Sequence, residues 1–220
     1  MKRIKVRVTF IEECLGTSSA DPNLHAEYIA SKAPDALSRE EEIEAVGAEE
    51  YFEKGMTVFP MDENGVPFFW DYQFRGFFKD SCSALQRTKG EDFSKESCAL
   101  KAFKKVIDGC IFVEPRRIPI HLSGEMGICQ RPLRAATAQG ERIALSSSAT
   151  VPAGSTVEFT VVCLSDKYEA VVLEWLEYGR WRGMGAWRNS SKGSFWYELL
   201  DEQGNVIGGN KPANDSERTA

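Results

Sequence analysis

Alternating apolar and polar residues predict the strands of this chain. Residues 1–10, MKRIKVRVTF, separate Ile4, Val6 and Val8 by single cationic residues. This period of two is typical of a strand with one buried face, and it differs from the continuous apolar run of a signal sequence. Further runs rich in strand-forming residues cover 110–122, 141–164 and 194–200, and VEFTVVCL at 157–164 is the clearest of them.

Other segments have the 3.6-residue period of amphipathic helices. In residues 72–87 the apolar stripe consists of Phe74, Phe77, Phe78, Cys82 and Leu85. In the helix of residues 165–179, Ser165 and Asp166 predict the start and Gly179 predicts the end. A shorter helical stretch is predicted at about 97–107.

Turns and polar segments separate these elements. Asn64-Gly65 readily takes the positive φ angles of a tight turn, so residues 56–70 are predicted to form a hairpin of two short strands. Residues 24–54 are predicted to form an acidic helical insertion, because seven glutamates lie between positions 40 and 53. Residues 201–206, DEQGNV, predict a final hairpin turn, and 206–220 are predicted to be a disordered polar tail.

The order of the elements predicts an α+β fold in a single domain of residues 1–205. A strand is followed by an insertion, a hairpin, a helix, several strands, a second helix and a last strand. This order is typical of a sheet with helices on one face, as in a ferredoxin-like or modified RNA-recognition fold. Here that fold would carry an inserted helical segment and a C-terminal glycine-rich loop.

Composition narrows the class of protein. The chain has 220 residues, 27% of them charged, and its net charge of -6 excludes a general positive coat but not a local basic groove. Six cysteines lack any paired spacing and no stretch approaches membrane-spanning length, so we expect reduced thiols, a cytoplasmic location and no membrane partner. Two distant histidines lack the spacing of zinc ligands, and we expect no metal and no cofactor.

The strongest chemical signal is GRWRGMGAWRNSSKG at 179–193, which we call the glycine-rich segment. Its cations are Arg180, Arg182, Arg188 and Lys192, and its indoles are Trp181 and Trp187. Guanidinium groups pair with phosphate oxygens, indoles stack on unpaired bases, and glycines let the main chain approach a phosphate closely. A tight turn decorated with solubilising charges would explain the glycines but not two tryptophans, unless one of them packs on the core.

Three motifs in this order resemble those of the Cas7-like RAMP superfamily, the repeat-associated RNA-binding backbone subunits of CRISPR effectors. They are Asp62, Gly65 and Pro67 with YQFRGFFKDSCSAL at 72–85, then RPLRAATAQGERIAL at 131–145 with TVPAGSTVEF at 150–159, and then the glycine-rich segment. The likeness covers about residues 1–200. The family's glycine-serine turn is replaced here by Trp70-Asp71-Tyr72, so the match at that point is Arg75-Gly76.

The resemblance implies a groove that holds one strand of nucleic acid. Contacts are expected from Arg75 and Lys79 near the start of the first helix, where free amides and the helix dipole favour an anion. Arg131 and Arg134 lie in a segment that is predicted to be too irregular for regular sheet, and they are expected to contribute as well. Each of these residues is alternatively an ordinary surface charge, and for the arginine pair 116–117 a solvent-facing role is favoured.

Catalytic groups are sparse in this sequence. In relatives that cut RNA, a loop aspartate after the first strand does the work, so Asp21 and Asp35 are candidates. His25 is a third, because an acid or base in this region would reach the groove. Asp21 is equally a helix cap, and a lone histidine is more often a surface or packing residue. We therefore expect a non-catalytic protein.

These observations favour a protein that binds single-stranded RNA or DNA, with RNA the expected ligand. The resemblance implies a homo-oligomer or filament assembled side by side along the strand, together with other subunits of a ribonucleoprotein complex. Two alternatives stay open. The acidic stretch 39–53 favours a protein-interaction module that mimics or inhibits a CRISPR-type or other antiviral defence complex, as a phage would encode. The other alternative is an endoribonuclease.

Overall fold

A computed structural model describes residues 1–19, 55–89, 92–137 and 140–212. The strands in these ranges are β1 (Lys2–Phe10), β2 (Cys14–Leu15), β3 (Ser18–Ser19), β4 (Thr57–Val58), β5 (Phe68–Trp70), β6 (Ile111–Glu114), β7 (Arg117–His121), β8 (Gly127–Thr137), β9 (Gly140–Val151), β10 (Thr156–Cys163), β11 (Phe195–Leu200) and β12 (Val206–Gly209). The helices are α1 (Asp71–Leu85), α2 (Lys95–Ala99), α3 (Phe103–Cys110) and α4 (Glu169–Arg182).

The larger sheet has the strand order β12-β11-β1-β10-β7-β5, and β6 pairs with β10 beside β7. Its central strands are antiparallel, and β6 and β7 follow one another along the same edge of β10. With α1 between β1 and β6, and α4 between β10 and β11, this is the βαββαβ order of a ferredoxin-like fold. The predicted α+β fold class is confirmed.

A smaller sheet is built from β2, β9, β4 and β3, with β8 paired to β9. The hairpin of β8 and β9 pairs in continuous register from Gly127 and Thr150 to Thr137 and Gly140. β2 follows β1 closely along the chain and pairs with the end of β9, so the hairpin is attached next to the end of β1. The hairpin also lies next to the glycine-rich segment, because Arg131 of β8 contacts the ring of Trp187.

The main core lies between one face of the larger sheet and helices α1 and α4. The alternating apolar residues of β1 are buried, as their period predicted. Phe74 of α1 packs on Phe159 of β10 with ring centres 4.1 Å apart, and Phe78 packs on Trp175 of α4 at 5.4 Å. The Trp175 indole is fully buried and donates its N–H to Ser97 Oγ at 3.0 Å, so its polar atom is satisfied.

Helical boundaries differ from the prediction at several places. Helix α4 continues past Gly179 to Arg182, because Gly179 keeps a helical backbone and lies against the ring of Phe195. A 3-10 turn precedes α4, and Ser165 forms no side-chain hydrogen bond as a cap. The stretch predicted at 97–107 is divided between α2 and α3, because Ala102 takes a left-handed conformation between them.

The turn predicted in residues 56–70 forms, and the chain pairs across it. Gly65 has φ 77°, and the carboxylate of Asp62 accepts hydrogen bonds from the amides of Asn64 and Val66. Met61 forms an antiparallel bridge with Pro67, and the Phe68 amide donates to the carbonyl oxygen of Pro60 at 3.0 Å, so a short hairpin is present. Beyond it, β4 pairs with β3 and β9, whereas β5 pairs with β7, so the segment also links the two sheets.

The segment predicted as a polar tail, 206–220, begins with β12, which pairs with β11 at the edge of the larger sheet. Residues 213–220 and the predicted acidic insertion at 24–54 lie outside the described residues. Within the described ranges, no helix combines the length and the apolar character needed to cross a membrane.

Candidate nucleic-acid interface

The glycines of the glycine-rich segment serve close packing of the main chain. Gly183 ends helix α4 with φ 68°, and a Cβ at that position would lie 2.5 Å from the carbonyl carbon of Gly193. The Met184 amide donates to Gly193 O at 2.9 Å, and the Ala186 amide donates to Leu15 O of β2 at 3.1 Å. These glycines are enclosed by backbone, so they do not present a cradle for a phosphate.

Two arginines of the segment converge on one carboxylate of helix α1. Arg182 Nε donates to Asp80 Oδ2 at 2.9 Å, and Arg188 Nη1 donates to the same oxygen at 2.8 Å. Desolvation alone would raise the pKa of Asp80, but the hydrogen bonds and charges of the two guanidinium groups together outweigh it and lower that pKa. Asp80 therefore neutralises part of the positive charge that the sequence predicted here.

Lys192 is paired within the protein as well. Its ammonium group lies 2.8 Å from Glu13 Oε1 and 3.5 Å from Glu12 Oε2. The hydrogen bond to Glu13 is the largest of the effects that raise the pKa of Lys192. Lys192 thus ties the end of the glycine-rich segment to the chain just after β1.

The two tryptophans of the segment lie in different places, and both are exposed. Trp181, on α4, is 48% exposed, with the guanidinium carbon of Arg180 4.0 Å from its ring centre and Phe93 packed edge-on at 5.1 Å. Trp187 is 36% exposed, and the guanidinium carbon of Arg131 lies 4.8 Å from its ring centre. We call the latter the Arg131–Trp187 pair.

Arg131 differs from Arg182, Arg188 and Lys192, which are each paired with a carboxylate. It lies in β8 opposite Ser146 of β9, in regular sheet and not in the irregular loop that the sequence predicted. No ion pair of Arg131 with a carboxylate is found among the described residues, and its buried Nε has no hydrogen-bond partner there. Arg134 also lies in β8, but the structure does not describe its side chain.

A cleft of about 260 Å³ opens at the same surface. Gln73 and Gly76 of helix α1 line one side, and Gly185 and Arg188 line the other. Gly76 is exposed, and a Cβ there would meet no atom within 4 Å. Arg188, which lines this cleft, directly follows Trp187 of the Arg131–Trp187 pair in the chain.

Arg75 and Lys79 of α1 are not joined to the glycine-rich segment. Arg75 Nη2 lies 3.1 Å from Asp71 Oδ2, and Lys79 Nζ lies 2.5 Å from Asp108 Oδ1. The start of α1 differs from the predicted anion site, because the Asp71 amide donates to the carbonyl oxygen of Arg116 and the Asp71 carboxylate occupies the first turn. The catalytic candidates Asp21, His25 and Asp35 lie outside the described residues.

A group that sequence reasoning missed lies where β5 pairs with β7. The guanidinium carbon of Arg117 lies 5.6 Å from the ring centres of both Phe68 and Trp70. Arg116 lies 5.4 Å from the Trp70 ring, and Tyr72 is stacked on Trp70 with 6.3 Å between ring centres. We call these five residues the aromatic–arginine cluster. Its sequence signal is FFWDY at 68–72 together with the arginine pair 116–117, but the strand pairing that joins the two is not visible in the sequence.

No protein-family model matches the sequence, and no curated protein matches it. Among solved structures, the protein is similar to a chain of the cryo-EM structure of the Type III-B Cmr-beta bound to cognate target RNA, with 12% sequence identity and a TM-score of 0.49. The likeness covers 91% of this chain and 60% of that chain, so this chain spans less than two thirds of the other's length. Likeness at this level carries no argument about function, which has to be argued from the residues themselves.

Proposed function

We propose that this protein binds single-stranded nucleic acid, with RNA as the ligand, at the surface formed by the Arg131–Trp187 pair, Arg188 and the cleft beside α1. The observation that carries the proposal is the Arg131–Trp187 pair, in which a guanidinium that has no carboxylate partner among the described residues lies over an exposed indole. An aromatic surface next to a cation suits a base and its neighbouring phosphate. The cleft beside Gly76 offers adjoining space for the strand.

The open face of the larger sheet at β1, β6 and β10 is less suited to this role. RNA-recognition domains stack bases on aromatic residues of that face. Here Arg7 of β1 donates to Glu158 of β10 at 2.7 Å, and Arg3 donates to Glu114 of β6. These cations are already neutralised, so the surface at the hairpin and the glycine-rich segment is the better candidate.

The proposal includes the assembly that the Cas7-like resemblance implies and the absence of catalysis that the sparse catalytic groups of the sequence lead us to expect. Copies of the chain would lie side by side along the strand and contact other subunits of a ribonucleoprotein complex. Size-exclusion chromatography with light scattering, before and after nuclease treatment, tests this assembly. A nuclease-sensitive decrease in mass is expected, whereas a monomer without nucleic acid in both samples would contradict it. Incubating labelled RNA with and without magnesium tests for cleavage, and intact RNA is expected in both.

Two substitutions at the Arg131–Trp187 pair test the binding site directly. Trp187→Leu removes the stacking surface, and Arg131→Gln removes the charge while keeping a polar side chain. Stacking of one base on an aromatic residue contributes about 1–3 kcal/mol, so Trp187→Leu is expected to weaken binding about 5- to 150-fold. Fluorescence anisotropy with a fluorescein-labelled oligouridine of about 15 nucleotides measures the affinity.

The matched control is Arg3→Gln, which removes an exposed arginine from an ion pair on the open face of the larger sheet. We expect this variant to bind within about twofold of the wild type, since its pair with Glu114 leaves little charge for a ligand. Equal losses in Arg3→Gln and Arg131→Gln would show that net charge, and not the proposed surface, governs binding. Unchanged affinity in Trp187→Leu would refute the assignment of the site.

A further inference from the structure

We infer that the aromatic–arginine cluster is a second nucleotide-binding site, which takes an unstacked base and its phosphate from the same single strand. This inference rests on the proposed function and extends it to another surface of the protein. None of the five residues belongs to the glycine-rich segment or to the hairpin. The two surfaces are connected by helix α1, which begins in the cluster and passes the cleft at Gly76.

The stacking surface is supplied by Tyr72 and Trp70. Their rings are nearly parallel, with an angle of 13° between the planes, and Tyr72 is still 47% exposed. A large ring that is held in place but left half open to water provides a platform for a further planar group. Phe68 packs edge-on against Trp70 at 5.0 Å, so the platform is supported from below by a buried ring.

The charge of the cluster favours an anionic ligand. Asp71 pairs with Arg75 at 3.1 Å and lies 3.7 Å from Arg116, so one carboxylate is shared by two guanidinium groups. Arg117 lies against the rings of Phe68 and Trp70 and also lines a cleft with Asp62 and Glu63. The Arg116 side chain is 75% exposed, so it is the guanidinium of the cluster that a phosphate can reach.

The adjoining cleft distinguishes the base from the phosphate. It has a volume of about 430 Å³ and is lined by Phe68, Trp70 and Arg117 together with Asp62 and Glu63. Carboxylates accept hydrogen bonds from the amino groups of bases and repel phosphate. The base edge therefore belongs at the cleft and the phosphate at Arg116. A proline-rich peptide also binds exposed aromatic residues, but it carries no phosphate for Arg116 to bind.

The spacing of the two surfaces suits one continuous strand. From Asp71 in the cluster to Asp80 beside Arg188, helix α1 rises by about 14 Å over nine residues. Nine residues make about two and a half helical turns, so Asp71 and Asp80 lie on opposite sides of α1, and this rise is the axial part of the separation. A stacked strand advances about 3.4 Å per nucleotide, so at least about four nucleotides are needed to bridge the two surfaces. An oligonucleotide of about 12 residues is long enough to occupy both surfaces at once.

Four single variants, each measured with the same labelled oligocytidine of about 12 nucleotides, whose bases carry the amino groups that the cleft carboxylates would accept, test the inference. Tyr72→Ala removes the platform, and Arg116→Gln removes the accessible charge. Phe112→Ala is the matched control, because Phe112 is an aromatic residue of β6 that is 38% exposed outside the cluster. Trp187→Leu tests the surface at the Arg131–Trp187 pair. We expect Tyr72→Ala to weaken binding about 5- to 150-fold and Phe112→Ala to stay within about twofold of the wild type.

The outcomes separate the two proposals. If Tyr72→Ala and Arg116→Gln bind like the wild type while Trp187→Leu binds weakly, the second site is refuted and the proposed function stands. If the wild type binds no oligonucleotide, both proposals fail. Binding of a proline-rich peptide that depends on Tyr72, with unchanged RNA affinity in Tyr72→Ala, would replace the nucleotide by a peptide. Circular dichroism of each variant establishes that it is folded, and Arg116→Gln supplies a second measurement if Tyr72→Ala is not.

Discussion

The carboxylate of Asp80 partly neutralises the positive charge of the proposed interface. Removing the negative charge of Asp80 is therefore expected to increase the affinity for RNA. Its carboxylate accepts hydrogen bonds from both Arg182 and Arg188, which lie within 2.9 Å of the same oxygen. Asp80→Asn keeps the shape and one acceptor oxygen but removes the negative charge. Arg182 retains its hydrogen bond to Asn189 Oδ1 at 2.9 Å, so this arginine stays anchored in the variant.

The magnitude follows from the geometry of a phosphate bound by Arg188. Such a phosphate would lie roughly 7 Å from the Asp80 carboxylate, given one hydrogen bond on either side of the guanidinium group. At that distance two unit charges repel by about 0.6–2.4 kcal/mol for effective dielectric constants of about 80 to 20. Salt near 0.1 M has a Debye length of about 10 Å and reduces this by roughly half. We therefore expect Asp80→Asn to bind about twofold to eightfold more tightly.

Anisotropy titrations of Asp80→Asn at several salt concentrations check this expectation. Each additional phosphate contact makes the slope of log K against log salt steeper by about 0.7 for a single strand, so the variant should show the steeper dependence. Glu114→Gln is the control, because it frees Arg3 on the open face of the larger sheet and changes the net charge equally. If Asp80→Asn binds no better than Glu114→Gln, or shows the wild-type slope, the arginines at Asp80 are not ligand contacts.

Three further predictions concern stability. Ala favours a helix over Gly by about 1 kcal/mol, so Gly76→Ala, whose Cβ meets no atom within 4 Å, should raise the thermal midpoint. Gly179→Ala places a Cβ 2.1 Å from the Phe195 ring, and overpacking of about 1–3 kcal/mol should lower the midpoint by about 2–12 °C. A midpoint above that of the wild type would refute this packing. Because the pKa of Asp80 is lowered, its contribution to stability is present above the unfolded-state value of about 4 and is lost as the pH falls through the folded-state pKa. Urea midpoints of wild type and Asp80→Asn should therefore converge in acid, and a constant difference would contradict the pairing.

Most of the fold could be predicted from periodicity. The alternation in β1 and the apolar stripe of α1 place the same residues in the core that the structure buries there. These signals are strong because burial of one face imposes a fixed period along the chain. The pairing of β5 with β7, and of β4 with β9, could not be predicted, because each depends on a partner distant in sequence.

The residue types of the candidate site could be predicted from the sequence, but the groups that surround each residue could not. Both tryptophans are exposed, and Arg131 lies over the ring of Trp187. The role of these residues in binding stays a prediction. What the sequence does not reveal is that Asp80, in the middle of an amphipathic helix, faces two arginines more than 100 residues away. In the same way, the glycines satisfied a pattern typical of phosphate loops, although in this chain they allow close contacts with Leu15 and between Met184 and Gly193.

The ion pairs also determine which substitutions are informative. Replacing Arg182 or Arg188 by alanine removes a cation, but it also releases the glycine-rich segment from helix α1, so a loss of binding would have two possible causes. Arg131 has no such second role in an ion pair within the described part of the chain, and Asp80→Asn alters charge without removing a cation. If the surface binds RNA through its positive charge, Arg131→Gln must weaken binding and Asp80→Asn must strengthen it. If the arginines contact RNA electrostatically, the changes in affinity of Arg131→Gln and Asp80→Asn have opposite signs. If Asp80→Asn only loosens the glycine-rich segment, that variant binds RNA more weakly as well.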